Sequence, residues 1–281
     1  MEKLKIGITQ GSINGTGYDL ILTVFEDPVS LELCHPVIYG DKDKAIQQRK
    51  TLNLATNFIT INSTDEVQDG RLSLLSCTGS EKKALEDLQA NNIDALVITP
   101  QESPFPCPAG TTEILINEDI HMALVPKVDK DTIEKFSQTL VRDFDYQHPR
   151  IAILSNETPK EETAEKICEE KHMHVYGPYA IKEFLEQEKY MFFDGIITSD
   201  RQKATEAFGA LVYEYGIRFF AGTDHIITSP FQVNTTSLNH AMYIATDIFR
   251  NRKAYDAEHE HPLPKLFHDK REDKNSNNQV E

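Results

Sequence analysis

Short apolar runs alternate with amphipathic helical segments along most of this chain, and this alternation limits the fold more than any other feature. The clearest case is a helix predicted over Ser80 to Asn91, followed directly by the apolar run Ile93 to Pro100. A helix that leads into a short buried strand is typical of parallel α/β architecture. The sequence therefore predicts an α/β fold with an open, mostly parallel sheet and helices on both faces.

The length of 281 residues gives room for one large or two medium domains. We expect an N-terminal α/β lobe over 1–125 and a second α/β lobe over 126–267, with the C-terminal helix packing back on the first lobe. Residues 101–110 are rich in proline and are predicted to form a loop. Helices are also predicted over Lys42 to Leu52, Asp129 to Phe144, Lys160 to Glu170 and Thr205 to Tyr213. The polar tail over 268–281 contains no core residue and is predicted to be disordered.

Composition and charge exclude several classes of protein. The formal net charge is −16 and basic stripes are absent, which argues against nucleic-acid binding. No apolar run reaches membrane-spanning length, and the first residues lack the apolar core of a signal peptide. The four cysteines lie far apart without a CxxC pair, which favours a reducing, cytoplasmic location.

A glycine-rich turn follows the first predicted strand, and its members are Gly11, Asn14, Gly15 and Gly17. Glycines let the backbone adopt positive φ and approach a ligand, and the helix that follows directs its first N–H groups over the turn. A strand-to-helix corner without a ligand explains the same residues equally well. The spacing matches neither the dinucleotide fingerprint nor the Walker loop, so it identifies no ligand.

Thr111, Thr112 and Glu113 follow the proline-rich loop and precede an apolar stretch. Threonine and glutamate in this arrangement usually cap the start of a helix. The alternative is a pair of hydroxyl groups directed at a substrate phosphate.

Two further candidates follow predicted strands, where open α/β sheets bind ligands. Asp200 and Gln202 lie at the end of one strand, with Arg201 between them as a local salt-bridge partner. His225 follows another strand and is, with Asp200, a candidate acid or base. The pair His172/His174 on a predicted strand and the pair His259/His261 in a predicted loop have metal-ligand spacing, although solvated surface positions explain them more simply.

Several segments taken together carry a family resemblance. Residues 6–19 are similar to a GDxxGIGxE motif, and residues 93–100 to a D-x-L-V-T-x-P strand. Residues 110–113 lie where the family has G-H-T-E, residues 199–202 where it has Y-H-D-Q, and residues 247–253 match its terminal helix. On these motifs the chain resembles the 4-hydroxythreonine-4-phosphate dehydrogenases of pyridoxal phosphate synthesis, as a shortened and divergent member.

The resemblance implies a two-lobed homodimer with a fold similar to isocitrate dehydrogenases. It also implies NAD as cofactor, a small phosphorylated metabolite as substrate, and oxidation of a secondary alcohol followed by loss of carbon dioxide. In the family, a divalent metal held by three histidines polarises the reacting oxygen.

The sequence departs from the family pattern at the positions where the family holds its metal and substrate. Thr111 stands in place of the G-H-T-E histidine, and residues 123–126 contain no histidine where the first metal ligand is expected. Residues 155–159 and 199–202 likewise lack the second and third. Only His225 has a possible counterpart in a late motif. The sequence therefore predicts that no divalent metal is bound.

Three hypotheses for the function remain open. The first is a divergent family member that lost dehydrogenase activity and retains at most ligand binding. The second is an active NAD-dependent oxidoreductase with a rewired site. The third is a non-catalytic protein whose role is to dimerise or interact.

Overall fold

The structure is a computed structural model that describes residues 3–11, 17–99, 107–155 and 173–260. Twelve strands form one sheet in the order β3-β4-β2-β1-β5-β12-β11-β6-β7-β10-β8-β9. The strands are β1 (Lys5–Thr9), β2 (His35–Gly40), β3 (Phe58–Ile61), β4 (Leu72–Ser76), β5 (Ala95–Val97), β6 (Thr112–Ile116), β7 (His121–Leu124), β8 (Arg150–Ser155), β9 (His174–Ala180), β10 (Gly195–Thr198), β11 (Ile217–Ala221) and β12 (Ile226–Pro230). The predicted α/β fold is confirmed.

Helices cover both faces of the sheet. They are α1 (Gly17–Val24), α2 (Ser30–Leu33), α3 (Lys42–Thr51), α4 (Ser80–Gln89), α5 (Lys130–Phe144), α6 (Ile181–Glu186), α7 (Arg201–Leu211) and α8 (Thr235–Glu260). The buried residues of α1, α3, α5 and α8 form one core cluster on a first face. Those of α4, α6 and α7 belong to two clusters on the second face. Among the described residues, no helix has the length and apolar character needed to cross a membrane.

Strand direction reverses in the middle of the sheet. The strands from β3 to β12 in the spatial order run parallel to one another, and β7, β10, β8 and β9 form a second parallel group. Antiparallel β11 and β6 connect the two groups. The carboxyl ends of the two groups therefore face opposite edges of the sheet.

Helix α8 packs on the first half of the sheet as well as on the second. It contacts α1, β5 and β12 on one side and α5 on the other. The pairing of β12 with β5 brings the hairpin formed by β11 and β12 beside strands from the start of the chain. The lobe boundary at residue 125 stays a prediction, because one continuous sheet runs through both parts.

Three local predictions were wrong. Thr112 and Glu113 begin strand β6 and do not cap a helix, because the apolar run behind them pairs with β11 and β7. His259 lies inside α8, which runs to Glu260, and not in a loop. Helix α7 begins at Arg201, four residues before the predicted start at Thr205. The tail over 268–281 and a helix predicted over 160–170 lie outside the described residues.

Candidate functional site

The candidate site lies where β6 begins and where β11, β7 and β10 end. Thr112 is paired with Ala221, the last residue of β11, and Glu113 is paired with Leu124, the last residue of β7. Strand β10 ends beside β7 at Thr198, so Asp200 follows at the same edge. The topology therefore brings most of the strand-end candidates to one edge of the sheet.

Thr112 and Glu113 point to opposite faces, because side chains alternate along a strand. Ile114, two residues beyond Thr112, belongs to the core of the first face. Leu115, two residues beyond Glu113, belongs to the core of the second face. The hydroxyl of Thr111 donates to the carbonyl of Pro108 at 2.7 Å and holds the turn before β6. The three consecutive candidates therefore do not form one binding surface.

Glu113 is buried and is held between two arginines, an arrangement that we call the guanidinium triad. Nη1 of Arg218 donates to Oε1 of Glu113 at 2.6 Å, and Nη1 of Arg201 donates to Oε2. The Glu113 side chain is 3% exposed, whereas Arg201 is 55% and Arg218 is 27% exposed. The Arg218 guanidinium also lies 4.8 Å from the centre of the Phe231 ring. Pairing makes the burial of the carboxylate tolerable, and the triad keeps one surplus positive charge that faces solvent.

Sequence reasoning named Glu113 and missed Arg218. The sequence did contain a signal for Arg218, because Glu113 and Arg218 are charged residues inside two largely apolar strands. In the antiparallel register Arg218 opposes Leu115, so it is the diagonal neighbour of Glu113 on the same face. The pairing of β6 with β11, which are about a hundred residues apart in sequence, could not be read from local pattern.

Asp200 forms the N-cap of helix α7. Its Oδ1 accepts a hydrogen bond from the backbone N–H of Lys203 at 3.1 Å, as N-cap carboxylates do. The Lys203 ammonium lies 3.9 Å from the other carboxylate oxygen. Gln202 is exposed on the first turn, and its Nε2 donates to Oε1 of Glu206 at 3.0 Å. Both residues make helix-stabilising interactions, and their assignment to a ligand site stays a prediction.

His225 precedes β12, four strands away from β10 in the order β12-β11-β6-β7-β10. At the usual strand spacing this separates His225 from Asp200 by about 19 Å. The two residues cannot exchange a proton directly at this separation. His225 instead lines a cavity of about 460 Å³ together with Asp224, Arg142 and Arg252.

The described part of the glycine turn lies at the opposite edge, after β1. The Tyr18 hydroxyl donates to Oε1 of Gln10 at 3.0 Å, and the backbone N–H of Asp41 donates to the same oxygen at 2.7 Å. A Cβ on Gly17 would lie 1.9 Å from the Gln10 carbonyl oxygen, and a Cβ on Gly40 would lie 2.3 Å from the Tyr18 hydroxyl. Close packing accounts for these two glycines, and Gly11 adopts the positive φ expected for the turn, at 73°. Asn14 and Gly15 lie outside the described residues.

The described residues at the candidate site offer few donor atoms for a divalent metal. The segments that the resemblance assigns to metal histidines leave β7, β8 and β10 at one edge, so the assignment is spatially consistent. Their described residues offer Asp200 as the one carboxylate, and it lies beside Arg201 and Lys203. Nearby cations oppose a divalent ion by direct repulsion. Across the described ranges, no group of three potential metal ligands occurs, and His172 and His261 lie outside them.

Several solved protein structures share this architecture. The solved 4-hydroxythreonine-4-phosphate dehydrogenases of Burkholderia phymatum and Klebsiella pneumoniae superpose with TM-scores of 0.66 each, at 16% and 14% identity. Both matches cover 88% of this chain, and 99% and 98% of those chains. A β-decarboxylating dehydrogenase from Thermococcus kodakarensis gives a TM-score of 0.52 at 9% identity, covering 92% of this chain and 89% of that one. The fold is therefore of the class of isocitrate-dehydrogenase-like α/β proteins.

A curated relative defines the family more closely. The 4-hydroxythreonine-4-phosphate dehydrogenase of Bacteroides thetaiotaomicron is 32% identical over 350 residues, covering 97% of this chain and 96% of the relative. The chain belongs to the 4-hydroxythreonine-4-phosphate dehydrogenase family. Because the aligned region is longer than the chain, the chain lacks segments that the relative has. No family model matches the chain.

Proposed function

We propose that this protein binds a small phosphorylated metabolite at the guanidinium triad and does not carry out the family's metal-dependent oxidation. The observation that carries the proposal is the position of the triad, at the strand ends to which the resemblance assigns the metal and substrate residues. At that edge the described residues provide a surplus cation and no metal ligand set.

The exposed part of the triad suits a phosphate. Arg201 uses Nη1 for Glu113, and its side chain is more than half exposed. The planar guanidinium binds phosphate oxygens through paired N–H groups, a geometry that lysine cannot reproduce. Glu113 fixes the orientation of both arginines before any ligand arrives, so less entropy is lost on binding. Arg201 is the phosphate-binding residue of this proposal, and Glu113 is its positioning residue.

The proposal does not require that the family cofactor NAD binds, and the activity assay below includes NAD as a test. Of the described residues of the glycine turn, Gly17 has a packing role and Gly11 adopts positive φ, and neither observation identifies a dinucleotide. Without a metal, the negative charge that develops during oxidation would have to be stabilised by the arginines alone. That stabilisation contributes several kcal/mol in metal-assisted reactions. We therefore expect ligand binding without turnover.

The catalytic part of the proposal is tested by an assay with 4-hydroxythreonine 4-phosphate, NAD and, in turn, magnesium, manganese and zinc. We expect no formation of NADH above the rate without protein. Metal-dependent NADH formation that Asp200→Asn abolishes would contradict the proposal and favour a rewired oxidoreductase.

The binding part is tested by calorimetric titration of the same phosphate ester into wild type and Arg201→Gln. We expect Arg201→Gln to weaken binding by about tenfold or more, because a charge-assisted hydrogen bond contributes about 1.5–3 kcal/mol. Arg250→Gln is the matched control, since Arg250 is a half-exposed helix arginine with an aspartate partner at 3.6 Å. Absence of binding to the wild type would contradict the proposal and favour a protein that only interacts or dimerises.

A further inference from the structure

A cavity on the other face of the sheet has features of a second anion site. Its volume is about 350 Å³, which lies in the range of small-ligand pockets. The floor is the start of β6 and the end of β11, and one wall is helix α5. We call it the α5 cavity. None of the three residues of the guanidinium triad lines it, and Glu113 faces away from it.

A polar stripe of helix α5 lines this cavity. Thr132, Lys135, Thr139 and Arg142 follow one another at intervals of three or four residues, so they share one side of the helix. The apolar stripe of the same helix, Ile133, Phe136 and Leu140, is buried in the core. Two cations at positions seven residues apart therefore face the same space, in a chain whose net charge is −16. The Lys135 ammonium also pairs with the Asp131 carboxylate at 2.7 Å, but both side chains are more than 70% exposed, so this pair contributes little free energy.

Arg142 and Arg252 both reach the cavity, but their partners differ. Arg252 is 7% exposed, donates to both oxygens of Asp143 at 2.7 and 3.0 Å, and donates to the Asp224 carbonyl at 2.8 Å. Among the described residues, Arg142 pairs only with the Asp224 carboxylate, at 3.5 Å, and that carboxylate is 91% exposed. An ion pair of this kind contributes little free energy. A ligand anion can therefore replace Asp224 at Arg142, whereas Arg252 is committed to the fold.

The floor of the cavity offers groups for the rest of a ligand. The Thr112 hydroxyl points to this face and has no hydrogen-bond partner among the described residues. Gly110 and Gly222 line the rim with positive φ, and a Cβ on Gly110 would meet no atom within 4 Å. The rim is therefore free of side chains at this point, and a hydroxyl donor lies below it.

We propose that the α5 cavity binds a small phosphorylated compound, with Arg142 and Lys135 holding the phosphate and Thr112 contacting the remainder. Asp224 competes with the phosphate for Arg142. This site is independent of the guanidinium triad and of the function proposed for it.

The test uses inorganic phosphate as the probe, titrated calorimetrically at low ionic strength into Arg201→Gln, in which the triad is disabled. Adding Arg142→Gln should weaken phosphate binding by about tenfold. Adding Arg250→Gln, the matched control on α8, should leave it unchanged. Asp224→Asn should tighten binding by about two- to fivefold, because the competing carboxylate is removed.

The Asp224→Asn variant controls for misfolding, since a misfolded protein does not gain affinity for phosphate. Equal affinities in the Arg142→Gln and Arg250→Gln proteins would overturn the proposal, as would weaker binding in Asp224→Asn. Loss of all phosphate binding in Arg201→Gln alone would also overturn it, because the probe would then be held by the triad.

Discussion

At the scale of single residues, burial decides what an ion pair contributes. Helix α5 carries two aspartates whose oxygens lie 2.7 Å from a cation, Asp131 with Lys135 and Asp143 with Arg252. The first pair is more than 70% exposed on both sides, and the second is at most 7% exposed. Exposed pairs contribute about 0–1 kcal/mol, whereas breaking a buried pair leaves an uncompensated charge in the interior.

We therefore predict that Asp143→Asn lowers the free energy of unfolding by about 3–5 kcal/mol, because Arg252 keeps its charge and loses its partner. Asp131→Asn on the same helix should change it by at most about 0.5 kcal/mol. Urea unfolding followed by circular dichroism measures both values. Similar losses in the two variants would show that burial does not control these pairs.

At the scale of elements, Asp200 tests whether a strand-end carboxylate serves the helix that follows it. As the N-cap of α7 it satisfies the backbone N–H of Lys203. We predict that Asp200→Ala lowers the free energy of unfolding by about 1 kcal/mol, while Asp200→Asn stays near wild type because asparagine caps equally well. Chemical denaturation of the three proteins gives the comparison, and a loss in Asp200→Asn as large as in Asp200→Ala would contradict the capping role.

The elements also show how far sequence reasoning reaches. Helices α3 and α5 were predicted to within one residue at each end, and each follows an aspartate cap, Asp41 or Asp129. Helix α5 also has a clear apolar periodicity, whereas α3 has almost none. Strand β6 was misread, since Thr111 to Glu113 satisfies the pattern of a helix cap as well as that of a strand start. The guanidinium triad needed the antiparallel register of β6 and β11, and register is a tertiary property. The local sequence pattern thus identified Glu113 as a candidate but did not identify Arg218 as its partner.

At the scale of the whole molecule, the reversal of strand direction separates the sequence candidates into two sets. The glycine turn follows β1 at one edge, and Thr112, Asp200 and His225 lie at the other. Consecutive residues at that edge then serve different faces, with Glu113 in the triad and Thr112 in the α5 cavity. A protein with this arrangement can hold two ligands within a few residues of sequence.

The stability of the whole fold should depend on pH through His121. Its ring packs edge-on against Phe144 at 4.4 Å and Tyr146 at 5.7 Å between ring centres. Burial lowers the pKa of His121 to about 4, although the nearby Asp194 carboxylate acts in the opposite direction. Between that pKa and the ordinary value of about 6.5, the unfolded chain binds more protons than the folded one, so stability falls as the pH falls.

We predict that the wild type is about 2 kcal/mol less stable at about pH 5 than at about pH 7 through this residue, and that His121→Phe removes most of the difference. His240 leaves a smaller slope, because burial lowers its pKa as well. Titration of carboxylates that do not interact with His121 affects both proteins alike and cancels in the comparison. His148→Phe, at an exposed position, is the control and should follow the wild type. Urea unfolding at the two pH values measures each slope, and equal slopes for wild type and His121→Phe would show that His121 is charged in the folded protein.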